Sequence, residues 1–298
     1  MGLLKKLKKM FIILILILIL IYIGLVFYVA YGISHQHFPS KDNVSASLIS
    51  ENYEDVSFQT KDGVTLKGWF FPGNDKVLIL AHGITQNRQD RGYYFVPLIR
   101  DLLSEGYSVL TFDFRAHGSS SGRATTYGLK EANDVKAAVD FVNTKGFQSE
   151  KIAIVANSFG AISTLMAAKD LDVGSLVIDS VPSEFKPVFI RRLWQEKHIP
   201  TFVTPTALFV AEKLYGLDLE PIKPLARVKE VPDLPILFLH AENDPLFLID
   251  DANKVAEAHP TSKFVVFPDG LHIETYKLHP NLWKREVWDF LGKNFKSL

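Results

Sequence analysis

The stretch IAIVANSFGA, residues 152–161, is an apolar run that stops at a serine flanked by small residues. Its β-branched content and length suit a buried strand, and GAISTLMAAKD beyond it reads as a helix. A serine presented at a sharp strand-to-helix turn sits on a strained backbone. The residues two before and two after it must therefore be small. Ala156 and Gly160 both qualify, although Ala156 stands where the commonest form of the G-x-S-x-G pattern has glycine. Taken alone, the stretch has a plainer reading as a serine that merely closes a buried strand.

The neighbouring segments repeat the same rhythm. From about Tyr53, YEDVSFQT, KDGVTLKGWFFP and KVLILAHG read as strands, and Asp62-Gly63 reads as a hairpin turn between the first two. NRQDRGYYFVPLIRDLLSEG carries Leu98, Ile99, Leu102 and Leu103 at helical spacing. YSVLTFDF, GSLVIDS, PILFLH and KFVVF are further strands; LKEANDVKAAVDFVNTKG, IDDANKVAEAH and NLWKREVWDFLGKNF are further helices. Continuous apolar strands separated by helices predict an α/β domain over 53–298, a mostly parallel sheet with helices on both faces. Residues of about 182–232 interrupt the pattern and carry Phe185, Phe189, Trp194, Phe202, Phe209 and Tyr215. They are expected to form a helical cap over the C-terminal strand edge, where open α/β sheets bind ligands. The alternative is a pair of helices that only packs on the core.

A serine hydroxyl is a weak nucleophile until a histidine takes its proton, and that histidine needs a carboxylate to hold it. In this topology the acid follows a later strand and the histidine follows the last one. Asp244 in HAENDPLF and His272 in PDGLHIETY occupy those loops, which gives the order Ser158, Asp244, His272. Glu242, Asp250, Asp251 and Asp179 compete as the acid, and His279, His240 and His259 as the base. Asp250 and Asp251 also suit a helix N-terminus, and His259 a helix C-terminus. The turn after AHG offers the Ile84 N–H, and the residue after the serine offers the Phe159 N–H, as oxyanion donors.

With these parts together the chain resembles the α/β-hydrolase superfamily from about Tyr53 onward. DFRAHGSSSG (113–122) resembles that family's D-x-R-x-H-G-x-S-x-G segment, and LVIDS and HAENDPLF…DANKVAEA resemble its later strands and acid loop. The GLHIETY ending looks most like the membrane-associated and prolyl-oligopeptidase-like branches. The resemblance implies a serine hydrolase acting on an ester, thioester or amide without a cofactor. An esterase or lipase-like activity is the leading expectation. A peptidase or amidase, an acyltransferase, and a non-catalytic binding protein of the same fold are the alternatives.

The N-terminus adds a membrane. MGLLKKLKK (1–9) is basic, and residues 10–30 are free of charge and long enough to cross the hydrocarbon as a helix. A cleaved signal peptide is the alternative, with Ala30-Tyr31-Gly32 as a loose cleavage site, but its apolar region is usually only about 7–15 residues long. Lysines on the near side predict a cytoplasmic N-terminus and an extracytoplasmic hydrolase domain. Myristoylation is disfavoured because Lys6 replaces the required Ser or Thr. Residues 31–52 read as a polar linker, in which His35 and His37 more plainly suit solvent than a metal. The 33 basic and 33 acidic residues balance, and without the four leading lysines the body is mildly acidic, which argues against nucleic acid. The absence of cysteine excludes disulfides, thiolate metal sites and a cysteine nucleophile. An acyl substrate, small or lipid-like, is the expected partner.

Overall fold

Eight strands form one sheet in the computed structural model, which describes residues 2–39, 44–89 and 95–295. They are β1 (Glu54–Gln59), β2 (Thr65–Phe71), β3 (Val77–Ala81), β4 (Ser108–Asp113), β5 (Ile152–Asn157), β6 (Ser175–Asp179), β7 (Ile236–Ala241) and β8 (Lys263–Phe267). The helices are α1 (Gly2–Ser34), α2 (Phe95–Ser104), α3 (Glu131–Thr144), α4 (Phe159–Ala167), α5 (Phe185–Lys197), α6 (Thr204–Tyr215), α7 (Pro224–Val228), α8 (Ile249–Glu257), α9 (Thr275–Leu278) and α10 (Pro280–Asn294). The spatial order is β1-β2-β4-β3-β5-β6-β7-β8. β1 and β2 pair antiparallel, β2 meets β4 antiparallel, and the other pairings are parallel.

The apolar runs explain why the central strands are covered on both faces. Alternate residues Leu78, Leu80, Val155, Val177, Leu237 and Leu239 share one buried cluster with α2 (Leu98, Ile99, Leu102) and α10 (Trp283, Val287, Leu291). The residues between them, among them Ile79, Ile154, Ile178 and Phe238, are equally buried. α3 and α4 pack on β3, and α8 packs on β7. Every side chain of β3, β4, β5, β6 and β7 is buried, as expected of a parallel sheet sandwiched by helices.

The chain separates into a smaller unit, Met1–Gln36 with Phe189–Asp218, and a larger one, His37–Val188 with Leu219–Leu298. The larger contains the sheet. The interruption between β6 and β7 is helical: α5 begins in the larger unit, α6 lies in the smaller, and α7 belongs to the larger. The stretch read from sequence as a solvated linker over 31–52 is partly docked instead. α1 continues to Ser34, and Ala46 is buried in the core cluster. The Phe38 ring packs against His117 at 5.0 Å, tilted by 33°; Phe38 donates its N–H to Ala116 O at 2.7 Å and accepts from Gly118 N at 3.0 Å. An aromatic ring and two backbone hydrogen bonds outweigh the polar character of the surrounding residues. Residues 40–43 of that linker and 90–94 of the helix expected before Gly106 lie outside the described residues.

The segment DFRAHGSSSG is a polar knot at the end of β4. Asp113 accepts from Arg88 N (2.7 Å) and Ser119 N (2.9 Å), while Ser120 Oγ donates to Asp113 O (2.6 Å). Gly118 has φ +50°, and a methyl group there would lie 2.3 Å from the Asp113 carboxylate. Arg115 binds Asp134 through Nε (2.9 Å) and Nη2 (2.7 Å), and Asp62 through Nη1 (2.7 Å) and Nη2 (2.9 Å). The Arg115 and Asp134 side chains are almost wholly buried. Asp62 would still hold Nη1 and Nη2 of Arg115 without Asp134, but the buried Arg115 N–H and Nε–H would lose their acceptor, at about 1–3 kcal/mol for each stranded donor. Asp134→Ala should therefore lower the melting temperature by roughly 4–24 °C, at about 2–4 °C per kcal/mol for a domain of this size. A thermal melt followed by circular dichroism checks this, and a loss under about 3 °C would refute it.

Candidate active site

β5 ends at Asn157, α4 begins at Phe159, and Ser158 between them has φ +50° and ψ −113°. For a non-glycine residue this is a strained conformation that survives only where its surroundings impose it. Three contacts impose it here. The Ser158 N–H donates to Asp179 O at 2.9 Å, and Ile162 N donates to Ser158 O at 2.9 Å. Gly160 presses against the end of β3 so closely that a methyl group there would lie 2.1 Å from Ala81 O and 2.8 Å from His82 O. Position 160 therefore has room only for glycine. Ala156 instead pairs with Ala81 and Ile178 inside the sheet, where its methyl group is fully buried.

Ser158 Oγ lies 2.7 Å from His272 Nε2, and His272 Nδ1 lies 2.7 Å from Asp244 Oδ2. The other Asp244 oxygen accepts from Leu246 N (2.8 Å) and Phe247 N (3.0 Å). Burial pushes the Asp244 carboxyl up, but the hydrogen bond and charge of His272 and the Phe247 N–H outweigh it, so its pKa falls below 3.8. An ionised Asp244 accepts from the His272 Nδ1–H, which leaves Nε2 as the acceptor for the serine hydroxyl. The Phe247 ring meets the His272 ring edge-on at 4.7 Å and restricts its rotation. This arrangement can move a proton from a hydroxyl to an imidazole and stabilise the resulting imidazolium.

The two oxyanion candidates lie at turns that Gly160 joins. Phe159 immediately precedes Gly160. Ile84 belongs to the turn after His82, closed by Gly83 N donating to Gln86 Oε1 (2.6 Å) and Gln86 N donating to Gly83 O (3.3 Å). Asp250, Asp251, Glu242, His259 and His279 make other contacts or face solvent. Asp251 accepts from Ser183 Oγ at 2.7 Å in the first turn of α8, where Asp250 also sits, and Glu242 is exposed. His259 bonds Val231 O at 2.9 Å, and His279 caps α10, where its O accepts from Trp283 N at 2.9 Å. Among the described residues there is no group of three or more His, Cys, Asp or Glu that could hold a metal ion.

Two of the rival residues, Asp179 and His240, make positioning contacts. Asp179 accepts hydrogen bonds from Thr275 Oγ1 and from Ser180 Oγ at 3.2 Å, while its backbone oxygen receives Ser158 N. It thus links the serine turn to the loop that carries His272. His240 donates Nε2–H to Phe247 O at 2.9 Å and holds the Asp244 loop from beneath. Burial depresses its pKa. An acid or histidine closing a strand at the reactive edge was the only sequence signal for either.

His82 is a further buried histidine. Its Nε2 accepts from Phe114 N (3.1 Å), so Nδ1–H donates to Gly83 O (2.7 Å). Burial and the neighbouring His117 hold its pKa well below 6.5, so it is neutral in the fold. Below 6.5 the unfolded chain takes up a proton that the native imidazole refuses, so stability declines as pH falls. The melting temperature should drop between about pH 7 and pH 5, and His82→Asn should flatten that slope by up to about 1.4 kcal/mol per pH unit. An unchanged slope would refute the assignment. For the serine turn, Ala156→Gly should retain fold and turnover, whereas Gly160→Ala should abolish soluble, active protein. Equal tolerance at both positions, measured by yield and ester turnover, would overturn the packing argument.

Residues 78–272 match the Alpha/beta hydrolase family. The chain is 27% identical over 236 residues to the uncharacterized protein YqkD of Bacillus subtilis, covering 77% of this chain and 76% of that one. It is 23% identical over 252 residues to the Alpha/beta hydrolase domain-containing protein WAV2 of Arabidopsis thaliana, covering 81% and 79% respectively. Among solved structures it is similar to the Pyrococcus furiosus esterase Pf2001, with a TM-score of 0.74 and 29% identity over 88% of this chain and 100% of that one. The esterase RhEst1 of Rhodococcus shares the fold at a TM-score of 0.56 and 19% identity, over 80% of this chain and 99% of that one. The sheet order, the strained serine turn and the family match agree: this chain belongs to the alpha/beta hydrolase family.

Proposed function

We propose that the protein is a membrane-anchored serine hydrolase that cleaves a carboxylic ester through an acyl-enzyme. The observation that carries this reading is the continuous relay of two 2.7 Å contacts from Ser158 through His272 to Asp244. The 29% identity to an esterase over 88% of this chain supports ester chemistry.

In the proposed reaction His272 Nε2 takes the Ser158 proton as Oγ bonds to the carbonyl carbon. The Phe159 and Ile84 N–H groups receive the oxyanion, each such donor being worth about 10²–10³ in kcat. His272 then gives its proton to the leaving alcohol as the ester C–O bond breaks. Water attacks the acyl-serine, His272 takes its proton and returns it to Ser158 Oγ, and the acid departs. Asp244 stays ionised and balances the imidazolium throughout.

α1 carries an 18-residue window of mean hydropathy 3.4, and one such helix near the N-terminus also fits a signal sequence. The proposal takes it as a retained anchor because its charge-free run, from Met10 to Ser34, exceeds an ordinary signal-peptide core of about 7–15 residues. The lysines before it assign the N-terminus to the cytoplasm and the hydrolase domain to the opposite side. A lipid-derived acyl group fits an enzyme held at a membrane.

Ser158→Ala should keep the melting profile and lose p-nitrophenyl ester turnover by up to about 10⁶-fold. A fluorophosphonate should modify Ser158 in the wild type and leave the variant unlabelled. Turnover of Ser158→Ala equal to the wild type would sink the proposal.

A further inference from the structure

The smaller unit pairs α1 with a helix that lies far from it in sequence. α6 packs along the second half of α1. The Tyr22 hydroxyl lies 2.8 Å from Thr206 Oγ1, and the Tyr22 ring stacks on Phe202 at 6.2 Å. Farther along, Tyr215 meets Tyr31 edge-on at 6.0 Å and His35 at 4.9 Å. Thr206 is level with Tyr22 and Tyr215 with Tyr31, so the two helices run parallel and in step.

That register assigns a depth to α6. A hydrocarbon core of about 30 Å takes about 20 helical residues, and counted from Met10, just after the lysines, it ends near Val29. Tyr22 is then about 10 Å inside the far boundary, at about 1.5 Å per residue. Thr206 and Phe202 share that level, and Tyr31 and Tyr215 reach the interface, where tyrosine rings are favoured. The composition of the insert follows the same profile. From Ile199 to Ala211, IPTFVTPTALFVA contains no charge, and Glu212 and Lys213 follow at the level of the boundary; Glu196 and Lys197 end α5, before the stretch whose register with α1 is fixed. An uncharged run of this length suits a segment that enters a leaflet without crossing it. Phe202 and Phe209 are 69% and 59% exposed, a poor fit to water for two phenylalanines seven residues apart. Away from water, the Tyr22 and Thr206 hydroxyls satisfy each other. Ala207 and Ala211 supply the small residues four apart that let helices in lipid approach closely.

The geometry points to immersion of the Ile199–Ala211 segment in the hydrocarbon of the leaflet from which α1 emerges at its C-terminal end. The occupant of the exposed Phe202 and Phe209 face is lipid acyl chains. This inference rests on the proposed reading of α1 as a retained anchor and extends it: the insert is itself part of the membrane attachment.

The cysteine-free chain allows a direct test. Full-length protein is reconstituted into phosphatidylcholine–phosphatidylglycerol vesicles with a single nitroxide-labelled cysteine at Leu16→Cys, Phe202→Cys, Phe209→Cys or Lys213→Cys. Collision with oxygen, which concentrates in hydrocarbon, is compared with collision with a water-soluble nickel chelate. All four side chains are exposed, so the label displaces little packing, and Phe209→Cys is independent of the Tyr22–Phe202 stack. The expected oxygen-to-nickel ratio is several-fold higher at 16, 202 and 209 than at 213. A high ratio at 16 with 202 and 209 matching 213 would overturn the immersion of the insert and leave the anchor intact. A low ratio at 16 as well would overturn the anchor reading and this inference together.

Discussion

Asp179 ties the serine turn to the histidine loop. Its backbone oxygen receives the Ser158 N–H at 2.9 Å, and its side chain accepts the Thr275 hydroxyl three residues beyond His272. β5 and β6 are in register at Asn157 and Asp179, so the sheet itself sets the height at which both bonds form. Gly160 supplies the complementary constraint from the other side by bringing the start of α4 against the Ala81 carbonyl. Between these two contacts the backbone of Ser158 has one conformation available, and its hydroxyl points at His272.

Around this point the polar groups divide by solvation. Asp244 keeps its charge because two backbone N–H groups and His272 compensate for its burial. At His82 and His240 burial outweighs the groups that favour the imidazolium, Gly83 O for the first and Asp244 and Phe247 O for the second, so both pKa values fall and each ring holds backbone in place. The Asp113 and Arg115 knots brace the loop after β4 in the same way, with each buried carboxylate surrounded by donors. Buried polar groups of this kind are costly when unpaired, which makes the scaffold intolerant of single deletions.

The features on which the proposed membrane attachment rests follow a different rule. In the sheet, apolar side chains are covered by helices; along α1 they remain exposed over most of the helix. The same is true of Phe202, just before α6, and Phe209 on it, although among the described residues only α1 has the uninterrupted apolar length that marks it in sequence. A short helix with one exposed phenylalanine on it and another just before it resembles any surface helix until its partner is known.

Much of the fold was legible in the sequence, because strands buried on both faces must be continuously apolar and the helices between them must show a helical period. The eight strands, their alternation with helices and the Asp62-Gly63 hairpin all follow from such local patterns. The pattern around Ser158 was also local, since an elbow demands small neighbours. Which of those neighbours is the strict one was not readable: Ala156 and Gly160 differ only in what faces them, and that is the end of a strand more than seventy residues earlier. The docking of Phe38 on His117, the bridging by Asp179 and the pairing of Arg115 with Asp62 and Asp134 are likewise contacts between distant segments. Local sequence determines which groups need partners, because burial and periodicity act over a few residues. Tertiary structure decides which partners they receive, because a hydrogen bond or a close backbone approach depends on distances that only the folded chain sets.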